Sequence, residues 1–244
     1  KNTRPSENRA GSFPVDIVYT WVDQSDPAWL EKRSKAIAAL DRLKDPGLCR
    51  DGIREKEFES LDGLRFSLRS LSRYAGFARK IFIVSDDQVP AWLNQEHPKI
   101  ELVTHREIFG GSGELPCFNS HAIESRLHHI PGLAEHFIYM NEDFFLGRPV
   151  TVGDFFQTKD ISRFFPSPIK IDLTPVSADD LAISAAAKQG RALLQKRLKK
   201  SATRHIGHAP YPLRRSVLFE MERIFPQAFS VTAAHPFRHQ KDQS

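Results

Sequence analysis

The sequence predicts an α/β protein with a Rossmann-like fold, in which a mostly parallel sheet carries helices on both faces. Short runs rich in branched and aromatic residues alternate with longer segments of helical periodicity. Each run is apolar almost throughout, which is typical of strands that are covered on both faces. A length of 244 residues, with 40% hydrophobic and 27% charged residues, is ordinary for a globular domain of this class.

The first strand is predicted at residues 15–22, and a polar turn follows it. Asp26 and Pro27 then have the form of a helix start, with aspartate as the N-cap and proline at the first helical position. We expect this helix to end near Leu43. Its apolar positions, which we expect on the inner face, are Leu30, Ile37, Leu40 and Leu43.

A second amphipathic helix is predicted from Ile53 to about Tyr74, because apolar residues recur there at helical spacing. Two further buried strands are predicted at residues 80–87, where the strand again ends in polar and acidic residues, and at residues 100–105. The apolar positions of the second helix are Phe58, Leu61, Leu64, Leu68 and Leu71.

The central strand is predicted at residues 137–140, after a helix that Asn119 caps. Asn141, Glu142 and Asp143 follow this strand directly. Ligands of open α/β sheets bind at the carboxyl ends of the strands, so these three residues are the first candidates for a site. A strand that ends in a solvated acidic turn would give the same pattern.

From residue 151 onward we predict a mainly helical part that completes the site. It contains a short hairpin near residues 155–165, a basic helix from about Ser177 to Lys200 and a final helix from Leu213 to about Phe225. Two prolines interrupt residues 204–212, where we predict irregular structure. We expect residues 1–14 to form a flexible leader and residues 15–244 to form a single catalytic domain.

The chain is basic, with a formal net charge of +5 and a pI near 9.2. An excess of positive charge suits an anionic partner. A nucleotide, a phosphosugar, a nucleic acid and an acidic membrane surface all meet this condition, and the charge does not distinguish among them. No apolar run approaches the roughly 20 residues that span a bilayer, so we expect a cytoplasmic protein that is at most peripheral to a membrane. The sequence has two cysteines, Cys49 and Cys117, and therefore allows a single disulfide bond, although a reducing compartment is favoured.

Carboxylates at strand ends are the ligands that a hard divalent cation prefers. Two strand ends carry them, with Asp23 or Asp26 after the first strand and Glu142 with Asp143 after the central strand, and Glu124 lies on a helix in the same half of the chain. Magnesium is commonly held by one or two carboxylates together with substrate phosphates. A net basic chain with such a cluster suggests a nucleotide diphosphate bridged by Mg²⁺ or Mn²⁺.

The second half of the chain contributes a histidine and an arginine. His208 stands between Gly207 and Pro210, where a restricted backbone can aim the side chain, and neutral imidazole is a suitable general base. Arg238 can form a bidentate contact with phosphoryl oxygens. A lone histidine is more often structural or solvated than catalytic.

Several motifs together resemble the Stealth family of sugar-phosphate transferases. This family includes bacterial capsular polysaccharide phosphotransferases and the catalytic subunit of the lysosomal-enzyme N-acetylglucosamine-1-phosphotransferase. The resemblance covers most of residues 15–240 in the family's order. It rests on residues 16–23 with Asp26 and Pro27, 54–109, 120–125, 137–143, 208–210 and 238–239.

The resemblance implies a nucleotide-sugar transferase type of fold and the transfer of a hexose-1-phosphate, with N-acetylglucosamine-1-phosphate from a UDP-sugar as the first choice. The acceptor is implied to be a glycan or glycolipid hydroxyl, and UMP is released. Glu124, Asp143, His208 and Arg238 match the active-site residues, and Asp143 with Glu142 would bind the metal. Matched substrate-binding positions are Tyr19, Thr20, Trp21, Val22, Asp23, Ser120, Asn141, Arg204 and His239.

In the mechanism that the resemblance implies, His208 deprotonates the acceptor and Arg238 stabilises the phosphoryl oxygens. Glu124 would orient His208, bind sugar hydroxyls or act as the base itself, and these roles stay open.

The chain departs from the family pattern in two places. Its central motif is Asn-Glu-Asp rather than Asn-Asp-Asp, so we assign the essential role to Asp143 and a secondary role to Glu142. The pattern usually continues beyond the Arg-His motif with a segment that contains an Asn-Asp pair, which the sequence does not include before Ser244. We expect either that part of the site is missing or that a compact member does without it.

Two other functions fit parts of the sequence. A metal-dependent glycosyltransferase that releases UDP would need a similar acidic strand end and nucleotide loop. A non-catalytic protein that binds nucleic acid or a membrane through its basic helix would leave the acidic strand end unexplained, and no nucleic-acid motif is present. We therefore expect no nucleic-acid partner. Oligomeric state is not predicted.

Overall fold

A five-stranded sheet forms the centre of the structure, a computed structural model that describes residues 13–53 and 62–243. Its strands are β1 (Val15–Thr20), β2 (Ala78–Ser85), β3 (Ile100–Thr104), β4 (His136–Asn141) and β9 (Tyr211–Arg214). The strand order is β3-β2-β1-β4-β9. The first four strands are parallel and β9 is antiparallel, which confirms the predicted fold class.

The remaining strands form two small antiparallel pairs. They are β5 (Phe156–Thr158) with β6 (Ile161–Ser162), and β7 (Pro166–Lys170) with β8 (Arg204–Ile206). The helices are α1 (Pro27–Leu43), α2 (Arg50–Ile53), α3 (Gly63–Tyr74), α4 (His105–Phe109), α5 (Ser120–Glu124), α6 (Val152–Phe155), α7 (Ala182–Leu198), α8 (Arg215–Ile224) and α9 (Pro226–Ala233). A 3₁₀ helix follows α5 at Leu127–His129.

The two faces of the sheet pack into two apolar cores. On one face, Val18 and Phe137 pack with residues of α4, α5 and α9. On the other face, Ile17 and Met140 pack with residues of α3 and α6. Because side chains alternate along a strand, consecutive apolar residues of β1 and β4 supply both cores.

Helix α1 begins as predicted, since Asp26 caps it by accepting a hydrogen bond from Ala28 N. Among the described side chains, the inner face differs at Leu30, because Trp29 is buried and Leu30 is 40% exposed, and the side chain of Leu43 lies outside the described part. Trp29 packs edge-to-face on Phe118, with 5.4 Å between ring centroids. The larger aromatic ring therefore takes the inward position that we assigned to Leu30.

The predicted continuous helix from Ile53 to Tyr74 is wrong. Asp62 adopts a left-handed backbone conformation, and α3 begins only at Gly63. A Cβ at Gly63 would lie 3.1 Å from the Glu142 carbonyl oxygen, so the start of α3 lies close to the end of β4. Arg54, Phe58 and Leu61 lie outside the described residues.

The part from residue 151 onward contains more helix than strand, and β5 and β6 form a short hairpin where one was predicted, but β7, β8 and β9 are strands that the sequence did not indicate. Pro212 lies in β9 opposite Ile138. An edge strand tolerates proline because only some of its N–H groups are needed by the neighbouring strand. The basic helix starts at Ala182 rather than near Ser177, whose N–H binds the Asp180 carboxylate.

The end of the chain also differs from the prediction. Leu213 belongs to β9, and α8 starts at Arg215. Pro226 begins α9, a separate helix that the sequence did not indicate. Proline fits the first position of a helix but not its interior, so it divides the two helices.

Phe13, within the predicted leader, packs its ring against His136 at 4.0 Å between centroids, and residues 1–12 lie outside the described part.

Cys49 and Cys117 are both buried and free, so they form no disulfide. Among the described helices, none combines the length and apolar character needed to cross a membrane.

Candidate active site

The candidate site lies at the carboxyl edge of the parallel sheet. Strands β1 and β4 end level with each other, since Thr20 is paired with Asn141. Trp21 N donates to Val84 O at 2.9 Å, which holds the chain after β1 beside β2. The residues that follow β1 and β4 are therefore neighbours, as the sequence predicted for a Rossmann-like edge.

Asp143 and His208 meet at this edge. His208 Nε2 lies 3.2 Å from Asp143 Oδ2, and the two side chains are 61% and 62% exposed. The imidazole also packs its edge against Phe144, with 4.4 Å between ring centroids. Gly207 N donates to Phe165 O at 2.7 Å, which fixes the backbone just before His208. The contact joins an acid and a histidine that are 65 residues apart in the chain.

Glu142 lies next to this pair and is less exposed. Burial raises its pKa, and the negative charge of Asp143 raises it further, while the charge of His208 acts in the opposite direction. Two adjacent carboxylates with mutual repulsion are oxygen donors that a hard cation would stabilise. The two carboxylates therefore offer the kind of oxygen donors that Mg²⁺ or Mn²⁺ prefers.

Glu124 reaches the same edge from α5. Tyr139 OH donates to Glu124 Oε1 at 3.2 Å, and Tyr139 OH lies 3.0 Å from Thr20 Oγ1. Burial raises the pKa of Glu124, while the charge of His121, the Tyr139 hydrogen bond and the charge of Arg238 lower it. Glu124 is thus a recessed carboxylate held by Tyr139.

Arg238 approaches from the end of the chain. Its Nη2 donates to Ser120 Oγ at 2.9 Å, and its carbonyl oxygen accepts from Cys49 N at 3.0 Å. The charge of Arg238 acts on Glu124, as described above. A guanidinium in this position can bind phosphoryl oxygens near the recessed carboxylate.

A buried aspartate, Asp242, joins the two segments that carry these groups. Its Oδ2 accepts from Asn119 Nδ2 and from His239 N, both at 2.8 Å. Its Oδ1 lies 2.6 Å from His235 Nδ1. The side chain is fully buried, and its neighbours His121, His235, His239 and Asn119 hold its pKa at about 2 despite burial. Asp242 therefore ties the start of α5 to the Arg238 loop.

Several predicted substrate-binding residues have other contacts. Tyr19 is fully buried, and its hydroxyl lies 2.7 Å from Ser67 Oγ inside the core. His239 is also buried, with Nε2 3.3 Å from Asp45 Oδ1. Because both side chains are enclosed by protein groups, we no longer assign them to direct substrate contact.

Two further predicted substrate-binding residues, Asp23 and Arg204, also contact protein groups, and their role in substrate binding stays a prediction. The Asp23 carboxylate accepts hydrogen bonds from the N–H and the hydroxyl of Ser25, and it thereby stabilises the turn after β1. Arg204 lies in the β7–β8 pair and donates to Pro168 O at 2.8 Å. Within residues 13–53 and 62–243, no hydrogen bond or ion pair links Arg204 to Asp143 or Arg238. Trp21, Val22 and Asn141 are half-buried at the sheet edge, where we expected them.

Tyr139, Gln88 and Asp242 also shape the site and were not predicted from the sequence. Gln88 accepts from Asp23 N at 2.9 Å and donates to Asp23 O at 3.0 Å, so it fixes the loop after β1. Tyr139 was concealed because it continues an apolar run. Asp242 is the only carboxylate after His239 in the sequence, and this position near the Arg-His motif was the one sign that it could belong to the site.

The fold and this edge define an α/β protein of the nucleotide-sugar transferase type. The chain belongs to the Stealth family. Residues 13–41 match Stealth conserved region 1, residues 57–164 match conserved region 2 and residues 207–244 match conserved region 3. Together these matches cover most of the chain, and they contain the four predicted active-site residues, which are Glu124, Asp143, His208 and Arg238.

The chain is also similar to curated proteins over nearly its whole length. It is 48% identical over 233 residues to an exopolysaccharide phosphotransferase of Streptomyces coelicolor, which covers 96% of this chain and 24% of that protein. A second exopolysaccharide phosphotransferase of this organism is 46% identical, with 96% and 42% covered. An exopolysaccharide phosphotransferase of Mycobacterium tuberculosis is 41% identical over 232 residues, with 95% and 42% covered. The chain thus spans less than half the length of these relatives.

Proposed function

We propose that this chain transfers a sugar-1-phosphate from a nucleotide sugar to a hydroxyl of a glycan, on the cytoplasmic side of a membrane. The first choice of donor is UDP-N-acetylglucosamine, with UMP as the other product. Relatives named exopolysaccharide phosphotransferases support sugar-phosphate transfer, but the donor, the acceptor and the activity of a chain shorter than those relatives are part of the proposal.

The meeting of Asp143 with His208 is the observation that carries this proposal. A carboxylate bound to imidazole at 3.2 Å is a suitable arrangement for general-base chemistry on an acceptor hydroxyl. Both groups are open to solvent, so an acceptor has access to them. Glu124 and Arg238 lie close enough to each other for their charges to interact, next to Ser120 and Tyr139.

In the proposed reaction, His208 takes the proton of the acceptor hydroxyl as its oxygen attacks the β-phosphorus. A new oxygen–phosphorus bond forms, the bond from the β-phosphorus to the bridging oxygen breaks, and UMP leaves with that oxygen. Asp143 orients His208 and stabilises the imidazolium that results. Arg238 binds the phosphoryl oxygens and offsets their charge.

The contacts also favour one of the three roles left open for Glu124. Its hydrogen bond goes to Tyr139, whereas the partner of His208 is Asp143. We therefore assign the orientation of His208 to Asp143. Glu124 is assigned to the binding of sugar hydroxyls, for which a recessed carboxylate is well suited.

Glu142 and Asp143 would hold a Mg²⁺ or Mn²⁺ ion. When bound, such an ion would offset the charge of the diphosphate and help to position it. The raised pKa of Glu142 beside Asp143 supports this assignment, because a nearby cation would relieve the repulsion.

The experiment is an incubation with UDP-N-acetylglucosamine, Mg²⁺ or Mn²⁺ and a panel of sugar acceptors, with UMP and UDP separated. Acceptor-dependent UMP is the expected product, and His208→Gln should remove it. UDP would show glycosyl transfer instead and overturn the proposed reaction. His97→Gln, which alters a histidine in the exposed turn before β3, is the matched control and should leave the rate unchanged.

A further inference from the structure

Residues 165–206 lie between the second and third matched family regions, and we call them the inter-region segment. They contain the strands β7 and β8 and the helix α7. The two strands pair with each other outside the main sheet. Phe165 and Gly207, at the two ends, are joined by the backbone hydrogen bond described above. The segment is therefore an excursion from the sheet that returns directly before His208.

The inter-region segment carries the net charge of the whole chain. It has eight basic and three acidic residues, and this excess equals the +5 of all 244 residues. Two of its acids, Asp172 and Asp180, bind the buried Lys188 Nζ at 3.0 and 2.9 Å. The exposed cations are Lys170, Lys196, Arg197, Lys199, Lys200 and Arg204.

The same segment also exposes large apolar side chains. Ile169, Leu173, Leu181 and Ile183 are between 58% and 76% exposed, and Ile206 is 47% exposed. Isolated exposed apolar residues are ordinary, but Ile169 and Ile206 lie on the paired strands β7 and β8, which also place Lys170 opposite Arg204, so apolar and positively charged side chains are combined on this strand pair and indicate an interaction surface. Phe164, just before the segment, is 62% exposed as well.

We propose that the inter-region segment docks this protein on an anionic lipid bilayer. Lysine and arginine are attracted to anionic headgroups, and exposed apolar side chains gain free energy when they enter the interface. Nucleic acid is a weaker fit, because the exposed large apolar side chains of residues 164–206 are aliphatic apart from Phe164 and offer little for base stacking. An anionic lipid surface can bind both the positive charges and the exposed apolar side chains of the segment.

Docking would also place the candidate site near the bilayer, because β8 is followed by Gly207 and then by His208. This consequence rests on the proposed function, since it suits an acceptor that is a lipid-linked glycan. The docking itself does not depend on catalysis, so a binding measurement separates the two proposals.

The test is co-sedimentation of the full 244-residue chain with phosphatidylcholine vesicles that contain 30% phosphatidylglycerol. We expect binding that weakens as salt is raised, and little binding to pure phosphatidylcholine. Lys199→Gln with Lys200→Gln should weaken partitioning by roughly 10- to 30-fold, from about 1 kcal/mol per charge near an anionic surface. Ile169→Ser with Ile206→Ser should weaken binding at high salt most strongly.

The matched control is Lys35→Gln with Arg42→Gln, which removes two positive charges from exposed positions of α1. The proposal is overturned by equal losses in this control, by absence of binding at low salt, or by equal binding to neutral vesicles. Concentration-dependent self-association of the free protein, abolished by the Ile169 and Ile206 changes, would assign the surface to a second copy and also overturn it.

Discussion

Glu124 and Asp143 are carboxylates at one sheet edge, yet their surroundings differ. Asp143 is mostly exposed and lies against His208, whereas Glu124 is recessed and bound by Tyr139. An exposed carboxylate keeps its charge at little cost, but a recessed one is charged at the expense of stability. The two residues should therefore respond differently when each is replaced by its amide.

Asp143→Asn should reduce sugar-phosphate transfer by about 100-fold or more, because it removes the group that orients His208. The melting temperature should stay within experimental error, since the side chain is exposed. Product formation and thermal melting test this. Asp179→Asn, an exposed aspartate outside the site, is the control. Full activity of Asp143→Asn would rule out the assignment.

Glu124→Gln should lower activity and raise the stability of the folded chain at neutral pH. The folded-state pKa of Glu124 is raised, so its ionisation favours unfolding once the pH exceeds the ordinary carboxyl pKa. The stability gained by the amide should be small near pH 4.5, grow as the pH rises through the raised pKa and then stay constant. Urea denaturation at several pH values measures this gain. A loss of stability at pH 8 would contradict the expectation.

Residue identities could be predicted where the sequence pattern changes sharply. Asp143 ends an apolar run and His208 stands beside glycine and proline, and the structure brings both to one place. Tyr19 and His239 were assigned from the resemblance, which does not reveal whether a side chain points inward. Burial depends on packing partners such as Ser67 and Asp45, which are distant in sequence.

At the scale of elements, Asp242 connects α5 with the loop that carries Arg238. The charged form of this buried side chain is stabilised by hydrogen bonds from Asn119 and His239 and by its contact with His235. Removal of one partner from such a network leaves the others unsatisfied.

Asp242→Asn should destabilise the chain by about 2 kcal/mol at pH 7, which follows from a pKa lowered from 3.8 to about 2. Because the folded-state pKa is lowered, this stabilisation is present above pH 5 and fades as the pH falls through 2. Urea denaturation between pH 7 and pH 2 should show a difference from the parent chain that is constant above pH 5 and shrinks below pH 4. Asp160→Asn, an exposed control, should cost much less. Equal effects of the two changes would argue against the connecting role.

The glycine-rich loop after α4 offers a second test at this scale. Gly111 and Gly113 have φ angles of +83° and +85°, but a Cβ at Gly113 would lie 2.3 Å from Ala233 O, whereas Gly111 faces open space. Gly111→Ala should cost about 1 kcal/mol from backbone strain alone. Gly113→Ala should cost clearly more, because the backbone of α9 must move. Similar unfolding midpoints for the two variants would show that the loop does not pack on α9 in solution.

Most elements of the parallel sheet could be predicted because their strands are apolar throughout. The element that sequence patterns missed most clearly is β9, since two prolines in residues 204–212 argue against a strand. An edge position removes that objection, but the sequence does not show which strand lies at the edge. Similarly, helical spacing continued through Asp62, although its backbone conformation ends the pattern.

At the scale of the molecule, all three matched family regions contribute strands to one sheet. Region 1 supplies β1, region 2 supplies β2, β3 and β4, and region 3 supplies β9. The same three regions supply the residues of the site, which is therefore complete only after distant parts of the chain have assembled. This long-range assembly explains why the sequence predicted the members of the site better than their contacts.

The two free thiols should report on that assembly. Burial raises the pKa of Cys49 to about 11 and that of Cys117 to about 12. Since the thiolate is the reactive form, the native chain should react slowly with a disulfide reagent at pH 8, and both thiols should react quickly in urea. Absorbance of the released chromophore measures both rates. A thiol that reacts rapidly without urea would contradict the enclosed environment.

The backbone hydrogen bond between Gly207 and Phe165 has an evolutionary consequence. It brings the two ends of residues 165–206 together, so the surrounding frame needs only a closed loop at this point. The entropic cost of closing a loop rises slowly with its length, and inserts of different size are therefore tolerated at such a place. We therefore expect residues 165–206 to tolerate insertions and deletions while His208 and β9 keep their places.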